Sequence, residues 1–311
     1  MRPPLPTTHA PCAGKTLLAL GYGYTAAHLG RALMAQGWRV LGTARRQDTR
    51  AAIAAAGATP VLWPCDMVRV LQGVSHLLVS APPGAEGDPI LHHARGAIVG
   101  AARHLAWVGY LSTTGVYGDK AGDWVDETTP AQPTSARGKR RLQAERDWLH
   151  LREVPVHIFR LAGIYGPGRA PFARIRAGTA RRIIKEGQVF SRIHIADIVQ
   201  VLEASMARPR PGRIYNLCDD TPAPPQDVLA YAAALMGVPP PPAVAFEAAQ
   251  MSPMARAFYA DSKRVRNQRI KAELGVVLRY PSYQSALKAL WEQEQQDISA
   301  DRGGSEAQGE N

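Results

Sequence analysis

Apolar runs of strand length alternate with stretches of helical periodicity through the first half of the chain. The first run, at about residues 16–20, leads into Gly21-Tyr22-Gly23-Tyr24-Thr25-Ala26. Beyond it Ala26, Leu29 and Leu33 recur at helical spacing, and Gly37 stands where a helix stop is expected. A second apolar run covers 38–46, a third 59–66 and a fourth 75–83. A helical pattern over about 88–105 precedes the fifth run, 107–118, and another over about 135–151 precedes the sixth, 154–161. Strands alternating with helices predict an α/β fold, a doubly wound parallel sheet. After Gly166-Pro167-Gly168 the pattern breaks into short helical pieces and proline-rich loops, Pro239–Pro242 among them, which predicts a smaller C-terminal substrate lobe. The boundaries read as a loose tail over 1–14, a nucleotide-binding domain over 15–170 whose core is rejoined by about 190–218, a small lobe made mainly of 171–296, and a second loose tail over 297–311.

The order apolar run, glycine turn, helix is the one a dinucleotide site needs. Gly21 makes the sharp turn, Gly23 lets the backbone approach a pyrophosphate, and Ala26 lets the helix pack closely on the sheet with its N-terminus facing the phosphates. Gly21, Gly23, Tyr24, Thr25 and Ala26 are therefore candidate cofactor-binding residues. The second run ends in Arg45-Arg46, with no acid before Asp48. An acid at that place holds a ribose 2′-hydroxyl, whereas arginine offers a planar fork to a 2′-phosphate, so NADP is expected over NAD, with NAD the alternative. Asp66, at the end of the third run, stands where a residue meets the adenine or caps the next helix. Ligands of such sheets bind at the strand carboxyl ends, which brings in Ser80, Ala81 and Pro82 as well as Thr113 and Gly163.

Composition narrows the class. The 311 residues suit one two-lobed enzyme-sized unit, and no apolar run is long enough to cross a membrane. Cys12, Cys65 and Cys218 are widely spaced and form no CxxC, and the histidines show no ligand spacing, so no metal site is expected and the cytoplasm is the default. The net charge of +11 raises the question of nucleic acid. The basic clusters at 45–46, 137–141, 181–182 and 263–269 are scattered and lack interleaved aromatics, so a small-molecule ligand is expected and nucleic acid is not.

Several motifs together resemble the extended and atypical short-chain dehydrogenase/reductases, the NAD-dependent epimerase/dehydratase group. Besides the glycine turn they are Leu111-Ser-Thr-Thr-Gly-Val-Tyr-Gly118, Glu127 followed by Pro130 and Pro133, Arg160-Leu-Ala-Gly-Ile-Tyr-Gly-Pro-Gly168, Arg192-Ile-His-Ile-Ala-Asp197-Ile and Tyr215-Asn-Leu. The resemblance implies a Rossmann-type sheet, a nicotinamide cofactor, a small hydroxyl- or carbonyl-bearing substrate, and a homodimer. It also implies a Tyr-x-x-x-Lys pair with a Ser or Thr. Thr113 takes the hydroxyl position and Lys139 the lysine position, where it would also grip the nicotinamide ribose. The tyrosine position is Ser135. Serine is shorter and far less acidic than a phenol, and it is a good helix N-cap. Three readings stay open: another acid–base group, with Tyr117 and Tyr165 the candidates; chemistry that needs no strong acid, as in a hydride transfer with substrate or water supplying the proton; or a catalytically silent NADP(H)-binding or redox-sensing protein. Asp197 near His194 reads as an acid–base pair or, preferably, as packing.

Overall fold

In the computed structural model, residues 14–306 are described, and residues 1–13 and 307–311, parts of the two expected tails, lie outside them. The alternation along the chain becomes a seven-stranded sheet. Its strands are β1 (Thr16–Leu20), β2 (Arg39–Ala44), β3 (Thr59–Leu62), β4 (His76–Val79), β5 (Trp107–Thr113), β6 (Val156–Leu161) and β7 (Ile214–Leu217). They lie side by side in the order β7, β6, β5, β4, β1, β2, β3. β1 pairs in parallel with both β2 and β4, β2 with β3, and β4 with β5. Both faces of the central strands are covered, so every residue of β1, β4 and β6 is buried, which is why these runs are mainly apolar. The chain's direction across the sheet reverses between β1 and β4, the place where open parallel sheets hold ligands.

Helix α1 (Tyr24–Met34) buries Thr25, Ala26, Leu29, Gly30 and Leu33, the face read from the sequence, and Gly37 follows it with φ +81°. α2 (Gln47–Ala55), α3 (Met67–Val70) and α4 (Pro89–Gly100) follow in turn. β3 is shorter than its apolar run, stopping before Trp63-Pro64, where proline has no N–H for the ladder. α5 (Ala136–Leu149) is rich in charged residues, and a polar stripe fastens it to the sheet and to the start of α4. Arg141 Nη1 donates to the Tyr110 hydroxyl at 3.1 Å and the Leu111 carbonyl at 2.8 Å, Ser112 Oγ donates to Glu145 at 2.5 Å, and Trp148 Nε1 donates to Asp88 at 3.1 Å. The spacing of 141, 145 and 148 puts all three on one helix face.

Two units emerge. The first holds residues up to Ser112 with Arg140–Phe159 and Val199–Ile214; the second holds Thr113–Lys139, Arg160–Ile198 and the chain from Tyr215 onward. The division falls elsewhere than at 170, because the segments that follow β5 and β6 pack with the C-terminal half. In the second unit short parallel strand pairs join Gly163–Tyr165 to Arg192–His194, Arg182–Ile184 to Ala243–Ala245, and Trp124–Val125 to Arg264–Val265. Phe172, Ala223, Ala232, Tyr283 and Leu287 form its own small core. The last helix runs Tyr283–Glu306, through Asp297, where composition placed the start of a tail. Helix-compatible bonds carry it across that point: Gln293 to Asp297 at 2.8 Å and Ser299 Oγ to the Gln295 carbonyl at 2.9 Å. Among the described residues no helix is long and apolar enough to cross a membrane.

Candidate functional site

The glycine turn lies wholly within the first unit. Gly21 has φ +92°, and a Cβ there would come 3.0 Å from the Ala81 nitrogen and 3.2 Å from Ser80 Oγ. The turn is clamped from both neighbouring strands. Gly21 N–H donates to Thr43 Oγ1 at 2.8 Å, Tyr22 N–H to the Thr43 carbonyl at 3.2 Å, and the Ser80 hydroxyl to the Gly21 carbonyl. Ser80 and Ala81 N–H groups both return to the Leu20 carbonyl. Thr43 carries no sequence signal for this role, since its partner stands 22 residues away. Tyr22 explains two further glycines: its ring fills the space a Cβ on Gly42 would take, and its hydroxyl lies 2.7 Å from where a Cβ on Gly30 would stand. Burial pushes that hydroxyl up from its ordinary value.

Gly23 differs from Gly21. It is the N-cap of α1 in an extended conformation, and a Cβ on it would meet nothing within 4 Å. No side chain caps the helix and no acid occupies its first turn. The N-terminus of an 11-residue helix thus faces open space beside a backbone with no Cβ, which fits a pyrophosphate. At the end of β2, Arg45 is exposed and makes no side-chain hydrogen bond or ion pair with a described residue. Arg46 forks onto Asp48 at 2.5 and 3.1 Å and holds that carboxyl below its usual range. Asp66 serves as the cap of α3, accepting from Arg69 N–H at 3.2 Å.

The catalytic candidates fall in the second unit. Thr113 ends β5, and its Oγ1 accepts from Gly115 N–H at 3.1 Å. Ser135 Oγ accepts from Gly138 N–H at 3.0 Å and its carbonyl from Lys139 N–H at 2.9 Å, so it is the N-cap of α5. Lys139 is exposed. Tyr117 is fully buried: its hydroxyl donates to Asn216 Oδ1 at 2.8 Å, the Arg160 guanidinium lies 4.8 Å from its ring, and burial pushes it up to about 12. The phenol is thus enclosed and already hydrogen-bonded within the protein. Asn216 in turn donates its N–H to Glu127 at 2.8 Å, and burial raises the Glu127 carboxyl. The family motifs around 117, 127, 160 and 216 therefore meet in one buried polar network. Asp197 accepts from the Arg279 and Tyr280 N–H groups at 2.7 and 3.1 Å, the packing role.

Tyr165 behaves differently. It is 8% exposed, its hydroxyl is buried without a hydrogen-bond partner among the described residues, and burial raises it strongly. It lines a cavity of about 760 Å³ within the second unit. Arg169, Arg174, Arg181 and Arg192 line the same cavity, with Tyr259 and Tyr283. The sequence marks Arg181 only as part of a scattered basic cluster and Arg192 only as the start of a family motif. The four arginines come from two loops, the short helix Phe172–Arg176 and the strand Arg192–His194, so no spacing reveals their convergence. Such walls offer guanidinium forks to negative groups and ring faces to an apolar or planar body.

No family model matches the sequence. The chain is 32% identical over 242 residues to Protein YeeZ of Escherichia coli strain K12, covering 73% of this chain and 86% of that one. A solved structure of a functionally unknown conserved protein from Silicibacter pomeroyi shares 58% identity and superposes with a TM-score of 0.86 over 90% of this chain and 99% of its own. UDP-glucuronic acid 4-epimerase from Bacillus cereus, solved in complex with NAD, shares the fold at 17% identity with a TM-score of 0.70, over 90% of this chain and 99% of its own.

Proposed function

Since the chain belongs to the NAD-dependent epimerase/dehydratase family of the extended short-chain dehydrogenase/reductases, we propose that it is an NADP(H)-dependent enzyme that oxidises, reduces or epimerises a hydroxyl- or carbonyl-bearing small molecule with an anionic group. The contrast between Gly21, which has no room for a side chain, and Gly23, which has room and no cap, carries this reading. The backbone N–H groups at the start of α1 hold the pyrophosphate. Arg45 meets the 2′-phosphate, because Arg46 already has a carboxylate on its fork. Ser80 acts by fixing the Gly21 carbonyl, with Ala81 and Pro82 beside it at the strand end. When bound, the nicotinamide supplies the hydride acceptor or donor.

Thr113 orients the substrate oxygen and Lys139 grips the ribose diol, the roles their motif positions imply. Ser135 cannot stand in for the phenol, since its hydroxyl is short, weakly acidic and engaged as a cap. Of the two candidate phenols Tyr165 is the one that lines a cavity, and burial keeps its proton on, so it acts as a hydrogen-bond donor. The arginines favour a substrate such as a sugar nucleotide, the chemistry named for the Bacillus cereus neighbour. A second reading has its own support: with the hydroxyls of Ser135 and Tyr117 both engaged, the chain suits a silent NADP(H) binder or redox sensor.

Fluorescence titration with NADPH and NADH on wild type and Arg45→Ala tests the cofactor. The expected result is NADPH binding that weakens about 10–100-fold in the variant, the worth of a lost charge-assisted bond, with NADH unchanged. Binding of neither cofactor sinks both readings. Turnover lost in Tyr165→Phe with NADPH affinity intact favours the enzyme; an output indifferent to Tyr165 but abolished by a change at Gly23 favours the sensor.

A further inference from the structure

A carboxyl stands behind the wall of the arginine-lined cavity, and the role assigned to it rests on reading that cavity as an anion site. Asp219 lies just past β7. Its N–H donates to the Arg192 carbonyl at 2.6 Å, so the two residues are hydrogen-bonded neighbours. Arg192 lines the cavity, and its Nη1 donates to the Phe190 and Ala223 carbonyls at 2.9 and 3.0 Å. Those carbonyls orient the guanidinium without neutralising it. Asp219 is 1% exposed. Its Oδ1 accepts from Thr221 N–H at 3.2 Å, while Oδ2 is buried with no hydrogen-bond partner among the described residues. The Tyr165 hydroxyl, on the same cavity, is equally buried and equally unpartnered.

Buried polar atoms are nearly always satisfied, so two orphans around one arginine at a cavity wall mark a place that a ligand completes. The charged groups facing Asp219 are Arg192, which favours its ionised form, and Asp220 and Asp197, which disfavour it. Lys271 offsets Asp220 at 2.5 Å, and Asp197 is held by the N–H groups of Arg279 and Tyr280. Burial outweighs them all and pushes the Asp219 carboxyl up to about 7. The Cys218 thiol beside it is fully buried and raised by the same desolvation.

We propose that Asp219 is the specificity-determining residue of this cavity: a ligand's negative group seated on Arg192 repels the buried carboxylate behind it, and Asp219 takes up one proton from solvent as the ligand binds. The bound state then holds a neutral Asp219 acid, the Arg192 cation and the ligand anion, with Tyr165 donating to the ligand. The cavity selects ligands whose charged group reaches Arg192, and it holds them more tightly as the pH falls.

Calorimetric titration with UDP-glucuronic acid, in pairs of buffers of different ionisation enthalpy, counts the protons. The probe, with its pyrophosphate and carboxylate fully ionised, does not change charge between about pH 6 and pH 8, so any uptake belongs to the protein. Wild type is expected to take up about half a proton at pH 7 and to lose affinity about tenfold per pH unit above it. Asp219→Asn keeps the side-chain size and the Thr221 bond; it is expected to bind at the low-pH strength of wild type, without pH dependence. Wild-type affinity that is flat with pH, or uptake that persists in Asp219→Asn, overturns the proposal. Sodium sulfate, a dianion throughout the range, is the second probe. Sulfate binding with proton uptake, where UDP-glucuronic acid does not bind, upholds the role of Asp219 and overturns the sugar-nucleotide reading. Failure of both probes at every pH overturns both.

Discussion

Replacing Gly21 and Gly23 by alanine, one at a time, separates scaffold from site. At Gly21 the new methyl meets backbone: the Ala81 nitrogen at 3.0 Å and Ser80 Oγ at 3.2 Å, in a residue already at φ +92°. A left-handed alanine costs about 1–2 kcal/mol and crowding against a fixed strand end adds about 1–2 kcal/mol, so Gly21→Ala is expected to lose about 2–4 kcal/mol of stability. At Gly23 the methyl enters open space from an ordinary extended conformation. The remaining cost there is that alanine caps a helix less well than glycine, at most about 1 kcal/mol. That methyl stands where a pyrophosphate would approach the start of α1. Losing one charge-assisted hydrogen bond of about 1.5–3 kcal/mol weakens NADPH by about 10–100-fold, and losing two by about 100–10,000-fold. Urea unfolding followed by fluorescence reads the first quantity and NADPH titration the second. Gly23→Ala binding NADPH as tightly as wild type would refute the reasoning, as would equal destabilisation by the two changes.

Tyr117→Phe removes the donor to the buried Asn216 Oδ1 and is expected to cost about 1–2 kcal/mol, whereas Tyr165→Phe, whose hydroxyl has no hydrogen-bond partner among the described residues, should shift the urea midpoint little. Asp197→Ala leaves the Arg279 and Tyr280 N–H groups without an acceptor and is expected to cost about 2–4 kcal/mol; Asp197→Asn, which retains one acceptor oxygen, costs less in the same assay. Asp219 titrates at about 7 in the folded chain against about 3.9 unfolded, so the folded state binds more protons between those values. Its contribution to stability therefore falls as pH rises from about 4 to 7 and is fully lost above that. Asp219→Asn should flatten this part of the urea-midpoint profile and gain on wild type at about pH 8; parallel profiles for the two proteins would count against the assignment.

The two halves of the candidate machinery differ in how far they can be read from sequence, and the difference is physical. A pyrophosphate seat is made of backbone, and backbone that must come close to a ligand, turn with positive φ or start a helix against a sheet needs glycine or alanine at fixed offsets. Gly21, Gly23 and Ala26 are therefore visible in one sequence, as is the cap at Ser135, whose partner Gly138 lies three residues on. What supports the seat is less visible: Thr43 and Ser80 reach it across strands, and Gly30 and Gly42 are glycines because of the ring of Tyr22. The arginine-lined cavity is made of side chains delivered by tertiary structure. Arg169, Arg174, Arg181 and Arg192 carry no local constraint that ties them together, and in a chain of charge +11 each passes for a solvated surface residue. The terminal helix shows the same limit, for Gly303-Gly304 and the polar run from 297 read as a tail while the helix runs to Glu306, with i, i+4 bonds across Asp297. A site whose ligand is gripped by backbone leaves its pattern in consecutive residues. A site gripped by side chains leaves it only in their convergence and in what is buried without a partner, as the Tyr165 hydroxyl and Asp219 Oδ2 are.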